Sequence, residues 1–371
     1  MTNQKLAILA LVAAVLVGVA VMLNSTTNGP NEKTTGSAYL IQGLDPSQVT
    51  KITVEKGDEP ITLTRQDNGF VIAEKSNYSA NNKQINTLLT DCMDIQTTEL
   101  VSQSQDNYSD LGVTEEKAKD VVKFFQADGA LITGVIIGNS KEGGNGTYVR
   151  RIDSDKVYLT SKAPYIRKRA LDYMEQNLIA LNKENIESVQ VTLPDVEYQI
   201  SDDPNNGLQL SPLPEGRTFK SSDTRSVLSA LTGLRFNDVQ PKSTANMDFT
   251  QPQYQYQCRL KDSTVYTLKI IKEDDKYYVN CSSEYTDKSG VKVDRTKQDS
   301  EEELKAKEAK LLAQEKALKF SKRHSPWVYE IPEYKAKYLV KPLEDLLEQP
   351  KEETEDTEIQ NLVPDLNSNT D

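Results

Sequence analysis

Turn, strand and helix signals occur twice in the same order along this chain, in residues 49–178 and again in residues 186–347. Such repetition is expected for two copies of one structural unit. Each copy has an Asn-Gly dipeptide suited to a tight hairpin, at residues 68–69 and 206–207. Each also begins with the apolar spacing of a half-buried strand, at Val49, Ile52 and Val54 and at Ile186, Val189 and Val191.

An amphipathic helix follows the hairpin in each copy. Its apolar residues recur at i, i+3, i+4 and i+7, which gives one stripe per helix. The stripes are Ile85, Leu88, Leu89 and Cys92 in the first copy and Val227, Ala230, Leu231 and Leu234 in the second. Strands of a β-meander then turn at residues 128–129 and 262–263, and a closing helix ends the first copy. Chance similarity of two α+β segments is the alternative interpretation.

These signals predict an α+β fold with antiparallel sheets. A chain of 371 residues with 37% hydrophobic content can bury the cores of two domains of about 130–160 residues each. We predict a transmembrane anchor at 1–24, a flexible tether at 25–46, a first α+β repeat at 47–180, a second at 181–348 and an acidic disordered tail at 349–371.

An uncharged apolar run, Leu6–Leu23, lies near the amino terminus. As a helix it would rise about 27 Å, close to the hydrocarbon thickness of a bilayer, so it predicts a transmembrane helix. A cleaved signal peptide is the alternative, although its apolar segment is usually only about 7–15 residues long. Lys5 before the run favours an amino terminus inside. The protein is then expected in the inner (cytoplasmic) membrane as a single-pass protein with the bulk of the chain extracytoplasmic.

The net charge of −12 is unevenly distributed. From Glu344 onward there are ten acidic residues and one lysine, which leaves about −3 for the rest of the chain. A nearly neutral body lacks the basic surface that phosphate neutralisation requires, so nucleic-acid binding is disfavoured.

The residues for catalysis and metal binding are few. His324 is the single histidine, so a multi-histidine metal site is excluded, and its basic neighbours indicate an exposed loop. The glycine-rich residues 138–146 lie between two strand patterns and not before a helix, which predicts a hairpin loop instead of a phosphate loop. We therefore expect no enzyme activity, no cofactor and no metal.

About forty residues are inserted in the second copy, at 286–325, where the first copy has a short turn. Ser300 and Glu303 form a capping box, and Glu-Lys pairs at i, i+4 favour a charged helix of about twenty residues that projects from a hairpin tip. Deleting residues 287–322 is then expected to leave both domains folded. The helix is either a solvated excursion or a partner-binding arm, whose contacts would be the heptad-spaced Leu304, Leu311 and Leu318.

Two further sets of residues are candidates for contacts or cross-links. The basic run Arg167, Lys168 and Arg169 is placed in the closing helix, where it is either a solvated face or a contact surface for acidic partners. Cys258 and Cys281 fall on different predicted strands, and a disulfide between them is left open.

Several short motifs resemble those of one bacterial family, named domain of unknown function 4340 (DUF4340). They are Asp110-Leu111-Gly112, the strand ending Val135-Ile136-Ile137-Gly138, the strand Tyr148-Val149-Arg150, Val157-Tyr158-Leu159 and the closing helix through Leu178. The second copy departs from the pattern by lacking a glycine at the Gly138 position and by carrying the insertion. The resemblance implies an amino-terminal membrane anchor and genes often placed beside gliding-motility-type ABC transporter components, without known catalysis.

The expected function is therefore that of a membrane-anchored extracytoplasmic accessory or scaffold protein. It would act through protein–protein contacts, with an ABC-type transporter assembly as the expected partner. The alternative is a binding module for envelope polysaccharide or peptide that uses tyrosines of the second copy's strands, Tyr254, Tyr256, Tyr266, Tyr277 and Tyr278.

Overall fold

The computed structural model describes residues 38–349 except residues 58, 68 and 290–299. These residues form two compact units, divided between Met174 and Glu175. The predicted anchor 1–24, and tail residues 350–371, lie outside the described residues. Within the described part, no helix has the length and apolar character needed to cross a bilayer.

The first unit is built on a nine-stranded antiparallel sheet with the order β5-β4-β3-β2-β8-β9-β10-β11-β7, and β1 pairs separately with β6. Its strands are β1 (Ala38–Tyr39), β2 (Lys51–Glu55), β3 (Ile61–Gln66), β4 (Gly69–Ile72), β5 (Tyr78–Ser79), β6 (Gln96–Thr97), β7 (Glu99–Ser102), β8 (Asp120–Phe125), β9 (Leu131–Ser140), β10 (Thr147–Arg151) and β11 (Val157–Thr160).

Alternating apolar residues set the register of this sheet. Ile52 of β2 lies opposite Leu63 of β3 on one side and Phe124 of β8 on the other, and all three are fully buried. A shift by one residue would turn this row toward the opposite face. Helix α1 (Asn82–Met93) begins where the Asn81 side chain accepts from an amide of the first turn and buries the predicted stripe of four apolar residues.

A second layer covers part of the opposite face of the first sheet. The short helix α2 (Tyr108–Leu111) and the residues after it supply Tyr108, Val113 and Ala118, which cluster with Val121 and Ile136 of β8 and β9. Gly112 ends α2 with a φ of 66°, a left-handed conformation that glycine adopts without strain.

The second unit is built on an eight-stranded antiparallel sheet with the order β15-β14-β13-β18-β19-β20-β21-β17, and β12 pairs separately with β16. Its strands are β12 (Asn177–Ile179), β13 (Ile186–Thr192), β14 (Glu197–Asp203), β15 (Gly207–Ser211), β16 (Leu234–Arg235), β17 (Asp238–Pro241), β18 (Tyr254–Leu260), β19 (Thr264–Glu273), β20 (Lys276–Tyr285) and β21 (Trp327–Ile331). Its helices are α3 (Ser221–Leu228), α4 (Glu301–His324), α5 (Glu333–Leu339) and α6 (Leu343–Leu346).

The strand orders of the two sheets correspond. The order β4-β3-β2-β8-β9-β10-β11-β7 of the first has the same sequence of connections as β15-β14-β13-β18-β19-β20-β21-β17 of the second. The small pairs β1-β6 and β12-β16 also occupy equivalent places in the chain order. Mixed α+β structure with antiparallel sheets, as the sequence predicted, is therefore present in both units.

The predicted closing helix of the first copy is wrong. Residues 161–169 are not helical, and only a 3-10 turn, Ala170–Tyr173, follows. Pro164 disfavours helical geometry at the residue before it. Lys168 also ties the segment to β8, because its ammonium group contacts the Asp120 carboxylate at 2.9 Å and the Lys119 carbonyl at 2.9 Å.

The apolar stripe of the second copy's helix is also interrupted. Helix α3 ends at Leu228, a 3-10 turn covers Ala230–Gly233, and Leu234 lies in β16. The Ser229 hydroxyl donates to the Arg225 carbonyl at 2.7 Å, and such local bonds from serine compete with helix continuation. Leu234 is nevertheless fully buried. The sequence therefore predicted its burial correctly but placed it on a helix instead of a strand.

Candidate interaction surfaces

Helix α4 is the inserted element of the second unit, and its carboxyl-terminal half is docked on the sheet. Ala313 and Ala317 are buried, and their small side chains let the helix approach β20 closely. Ser283 of β20 donates from its hydroxyl to the Ala317 carbonyl at 2.8 Å and from its amide to the Ser321 hydroxyl at 2.7 Å. Ser321 in turn donates to the Ser283 carbonyl at 2.5 Å. These bonds fix the helix in register on its strand.

Aromatic contacts continue this docking to the end of the helix. The Phe320 ring meets Tyr266 of β19 edge-on at 5.0 Å between centroids and lies 4.5 Å from the His324 ring. His324 Nδ1 and the Tyr329 hydroxyl are 2.7 Å apart. The expectation of an exposed loop histidine is therefore wrong, because His324 is the last residue of α4 and is only 7% exposed.

Burial of His324 changes its protonation. Desolvation, helped by the positive charge of neighbouring Arg323, lowers the pKa of the imidazole to about 4. The ring is thus neutral at pH 7. A neutral histidine held against a tyrosine hydroxyl is part of the packing of α4, and its position gives no indication of a catalytic or metal-binding role.

The predicted capping box and helix are confirmed. The Ser300 hydroxyl accepts from the Glu303 amide and the Glu303 carboxylate accepts from the Ser300 amide. However, the predicted projection from a hairpin tip is only half right, since the docked half belongs to the fold of the second unit. Lys310 adds a tie to the segment before the helix through a 2.8 Å contact with the Asp287 carboxylate.

A second stripe of α4 has no role in this docking. Leu304, Leu311 and Leu318 are 54%, 53% and 69% exposed. At about 100° per residue they lie roughly 100–140° around the helix from Ala317. We call these three residues the leucine seam. The structure brings them to one line on the helix, with Leu318 in the docked half and Leu304 and Leu311 before it. An exposed apolar line of this kind is the arrangement a helix-binding partner would need.

The basic run of the first unit is largely occupied by internal contacts. Lys168 contacts Asp120, as described above, and Arg169 makes a bidentate pair with Asp172 at 3.1 and 2.6 Å. The Arg167 carbonyl accepts from the Tyr173 hydroxyl. Lys168 thus holds an extended segment against its own unit, and Arg169 is paired within the segment, so the run offers less to a partner than an unpaired cluster would.

The cysteines of the second unit are not joined. Cys258 lies on β18 and Cys281 on β20, with β19 between them, and both are free and fully buried. Strands two apart are separated by about 10 Å, beyond the reach of a disulfide. Burial raises the pKa of the Cys258 thiol to about 12 and raises that of Cys281 as well. The disulfide that the sequence left open is therefore absent.

Four tyrosines line a groove of about 840 Å³ in the second unit. Tyr254 is the first residue of β18 and Tyr277 the second of β20, while Tyr334 and Tyr338 lie one turn apart on α5. We call this site the tyrosine groove. Sequence reasoning proposed the first two and missed the others, although their i, i+4 spacing after Pro332 is a helix signal. Tyr256, also proposed, is buried and donates to the Val227 carbonyl.

Charged side chains complete the lining of the groove. Lys337 pairs with Glu333 at 2.9 Å and Lys341 with Asp223 at 2.6 Å. Asp195 and Asp345 also line the groove and form no side-chain hydrogen bond or ion pair within the part of the chain that the structure describes. Among those same residues, no group of three or more acidic, histidine or cysteine side chains is arranged to hold a metal ion.

Two units with corresponding antiparallel sheets define the chain as a two-unit α+β protein. Residues 71–253 match the sequence profile of the family described as Domain of unknown function (DUF4340), which confirms the resemblance over this stretch. No curated protein matches the chain. Helix α4 and helix α5 both follow residue 253 and lie outside the matched stretch.

Proposed function

We propose that this protein is a membrane-anchored, extracytoplasmic accessory protein that acts through protein–protein contacts made by the leucine seam. The exposure of that seam, on a helix whose carboxyl-terminal half is docked, is the observation that carries the proposal. Burying a leucine side chain contributes roughly 1.5–3 kcal/mol, so three seam leucines are a substantial source of binding energy that the fold of the second unit does not use.

The construction of α4 supports a recognition role. Its docked half loses no further freedom on binding, since Ser283, Ser321 and Phe320 already hold it. Preorganisation of this kind lowers the entropic cost of association. A partner that offers an apolar helix or groove could then bury Leu318 without reordering the docked half, and Leu311 follows directly after Lys310, which contacts Asp287.

The proposed setting rests on the sequence. The apolar run Leu6–Leu23 supports a single-pass anchor in the inner membrane, and the family resemblance supports a partner among ABC transporter components. We further propose that the two units are tandem copies of one domain, in line with their corresponding strand orders. An accessory subunit without its own catalysis fits these features.

Affinity purification of the full chain from native membranes tests the proposal. The wild-type protein is expected to recover a transporter or envelope component, and a triple variant of the seam is expected to lose it. That variant is Leu304→Ser, Leu311→Ser and Leu318→Ser. Leu312→Ser is the matched control, because Leu312 is 47% exposed on the same helix but lies about 100° from Leu311. Recovery of the same components by the triple variant, or of none by the wild type, would contradict the proposal.

A further inference from the structure

A second binding site is indicated by the tyrosine groove, which α5 forms with the first residues of β18 and β20. Its volume of about 840 Å³ lies within the range of about 300–1,000 Å³ that is usual for ligand sites. Tyr334 is 60% exposed and Tyr338 is 37% exposed. Large aromatic side chains kept this accessible are a source of binding energy that the fold leaves unused.

We propose that the tyrosine groove binds a neutral oligosaccharide. Sugar rings present flat C–H faces edged by hydroxyl groups, so they match a site that combines aromatic faces with hydrogen-bond acceptors. Phenol rings supply the faces, and their hydroxyls both donate and accept. The carboxylates of Asp195 and Asp345 supply acceptors that are not used by other described residues.

The charge of the groove disfavours an anionic ligand. Two lysines and two aspartates line it, and both lysines are already paired with carboxylates outside the lining, Glu333 and Asp223. An anionic polymer would meet Asp195 and Asp345 without a free cation to compensate them. A cationic peptide could pair with these two carboxylates, and the basic peptide probe tests that alternative. Sugar hydroxyl groups carry no net charge and can donate to the carboxylates while the sugar ring faces the tyrosines.

This inference is independent of the leucine seam. The groove uses α5 and strand ends, and the seam uses α4, so a variant of one leaves the residues of the other unchanged. The tyrosine groove could bind a sugar in a protein that recruits no partner, and the seam could recruit a partner in a protein that binds no sugar.

Calorimetric titration of the full chain with defined oligosaccharides tests the proposal. The neutral probes are hexamers of β-1,4-linked glucose, α-1,4-linked glucose and β-1,4-linked N-acetylglucosamine. Oligogalacturonate serves as the anionic probe, and a basic proline-rich peptide serves as the peptide probe. At least one neutral hexamer is expected to bind with a Kd at or below about 1 mM, more tightly than its own dimer, whereas the anionic and peptide probes are not expected to bind.

Variants show whether the oligosaccharide binds in the tyrosine groove. Tyr334→Ala with Tyr338→Ala is expected to weaken binding at least about tenfold, as loss of about 1.4 kcal/mol would, and Asp345→Asn is expected to weaken it less. Tyr165→Ala is the matched control, because Tyr165 is 83% exposed in the first unit and should leave binding unchanged. Unaltered unfolding of the second unit, followed by Trp327 fluorescence, shows that the variants are folded. Failure of all neutral hexamers to bind, equal binding by the anionic or peptide probe, or full binding by the double variant would overturn the proposal.

Discussion

The two units share the order of eight strands and differ most in one connection. In the first unit, residues 152–156 link β10 to β11, whereas in the second unit residues 286–326 link β20 to β21 and carry α4. Hairpin connections tolerate long insertions because they lie at the surface. In the second unit, the carboxyl-terminal half of the inserted helix α4 also packs on the sheet.

This difference separates the residues of α4 into two groups. Ala313, Ala317 and His324 are buried by the second unit's own sheet and strands, so packing accounts for them. Leu304 and Leu318 are exposed and contribute nothing visible to that packing. The contrast between a stripe that is buried in the fold and a stripe that is exposed supports the contact role proposed for the leucine seam.

Replacing the β20–β21 connection of the second unit by the β10–β11 connection of the first is expected to have the largest effect. Residues 286–326 are replaced by residues 152–156. We expect the second unit to lose roughly 3–5 kcal/mol, because the deletion removes the packing of Ala317, Phe320 and His324 against the sheet. That loss is a large fraction of the stability of a typical domain. Urea unfolding followed by Trp327, the single tryptophan, reports the second unit.

The first unit is the internal control for this replacement. Calorimetry should show its transition unchanged. An unaltered Trp327 transition would restore the expectation from the sequence that the whole insertion can be removed without cost.

Acid should destabilise the second unit through His324. The folded pKa of about 4 lies below the unfolded value of about 6.5, so the unfolded chain binds the extra proton first as the pH falls. The contribution of His324 is fully present above pH 6.5 and is lost between about pH 6.5 and 4, by up to roughly 3 kcal/mol. Urea unfolding across this pH range measures the free energy of unfolding of the wild type and of His324→Phe. The difference between the two gives the contribution of His324. Equal pH slopes in the two proteins would show that the ring is not buried as described.

Overpacking of the docked stripe should cost less. Ala317→Leu inserts a larger side chain at a position that is 1% exposed, and we expect a loss of about 1–3 kcal/mol. Ala309→Leu is the control, because Ala309 is exposed on the same helix and should change stability little. The urea midpoint of unfolding, followed by Trp327 fluorescence, is compared between the two variants. Equal midpoints would mean that α4 is not docked on β20.

Loss of the helix cap should have the smallest effect. Ser300→Ala removes the hydroxyl that accepts from the Glu303 amide, worth about 1 kcal/mol. The start of α4 is exposed, so fraying should be local. Faster amide exchange in the first turn, with unchanged exchange near Ser321, is the expected result. An equal change at both ends would mean that the helix opens as one unit.

Local signals were enough to predict a large part of the fold. The turn at residues 206–207, the stripe of α1 and the capping box of α4 depend on neighbouring residues, and the structure has all three. The missed features depend on contacts distant in sequence. Lys168 is held extended by Asp120 of β8, and His324 is buried against Tyr329 of β21.

The candidate sites were predictable to different degrees. Heptad spacing identified the leucine seam, because the residues of one helix face are close in sequence. The tyrosine groove combines a hairpin turn, two strand ends and a helix, so no local pattern joins Asp195 to Tyr338. Only the order of the strands in the sheet brings these residues together.

Photocrosslinking at the seam in native membranes is the most direct test of a contact role for α4. A photoreactive residue is placed at Leu311 in one protein and at Leu312 in another, neighbours that differ by about 100° around the helix. The proposed role predicts a crosslink from position 311 to a transporter or envelope protein and little from position 312. No crosslink from position 311, or equal crosslinks from both, would contradict it.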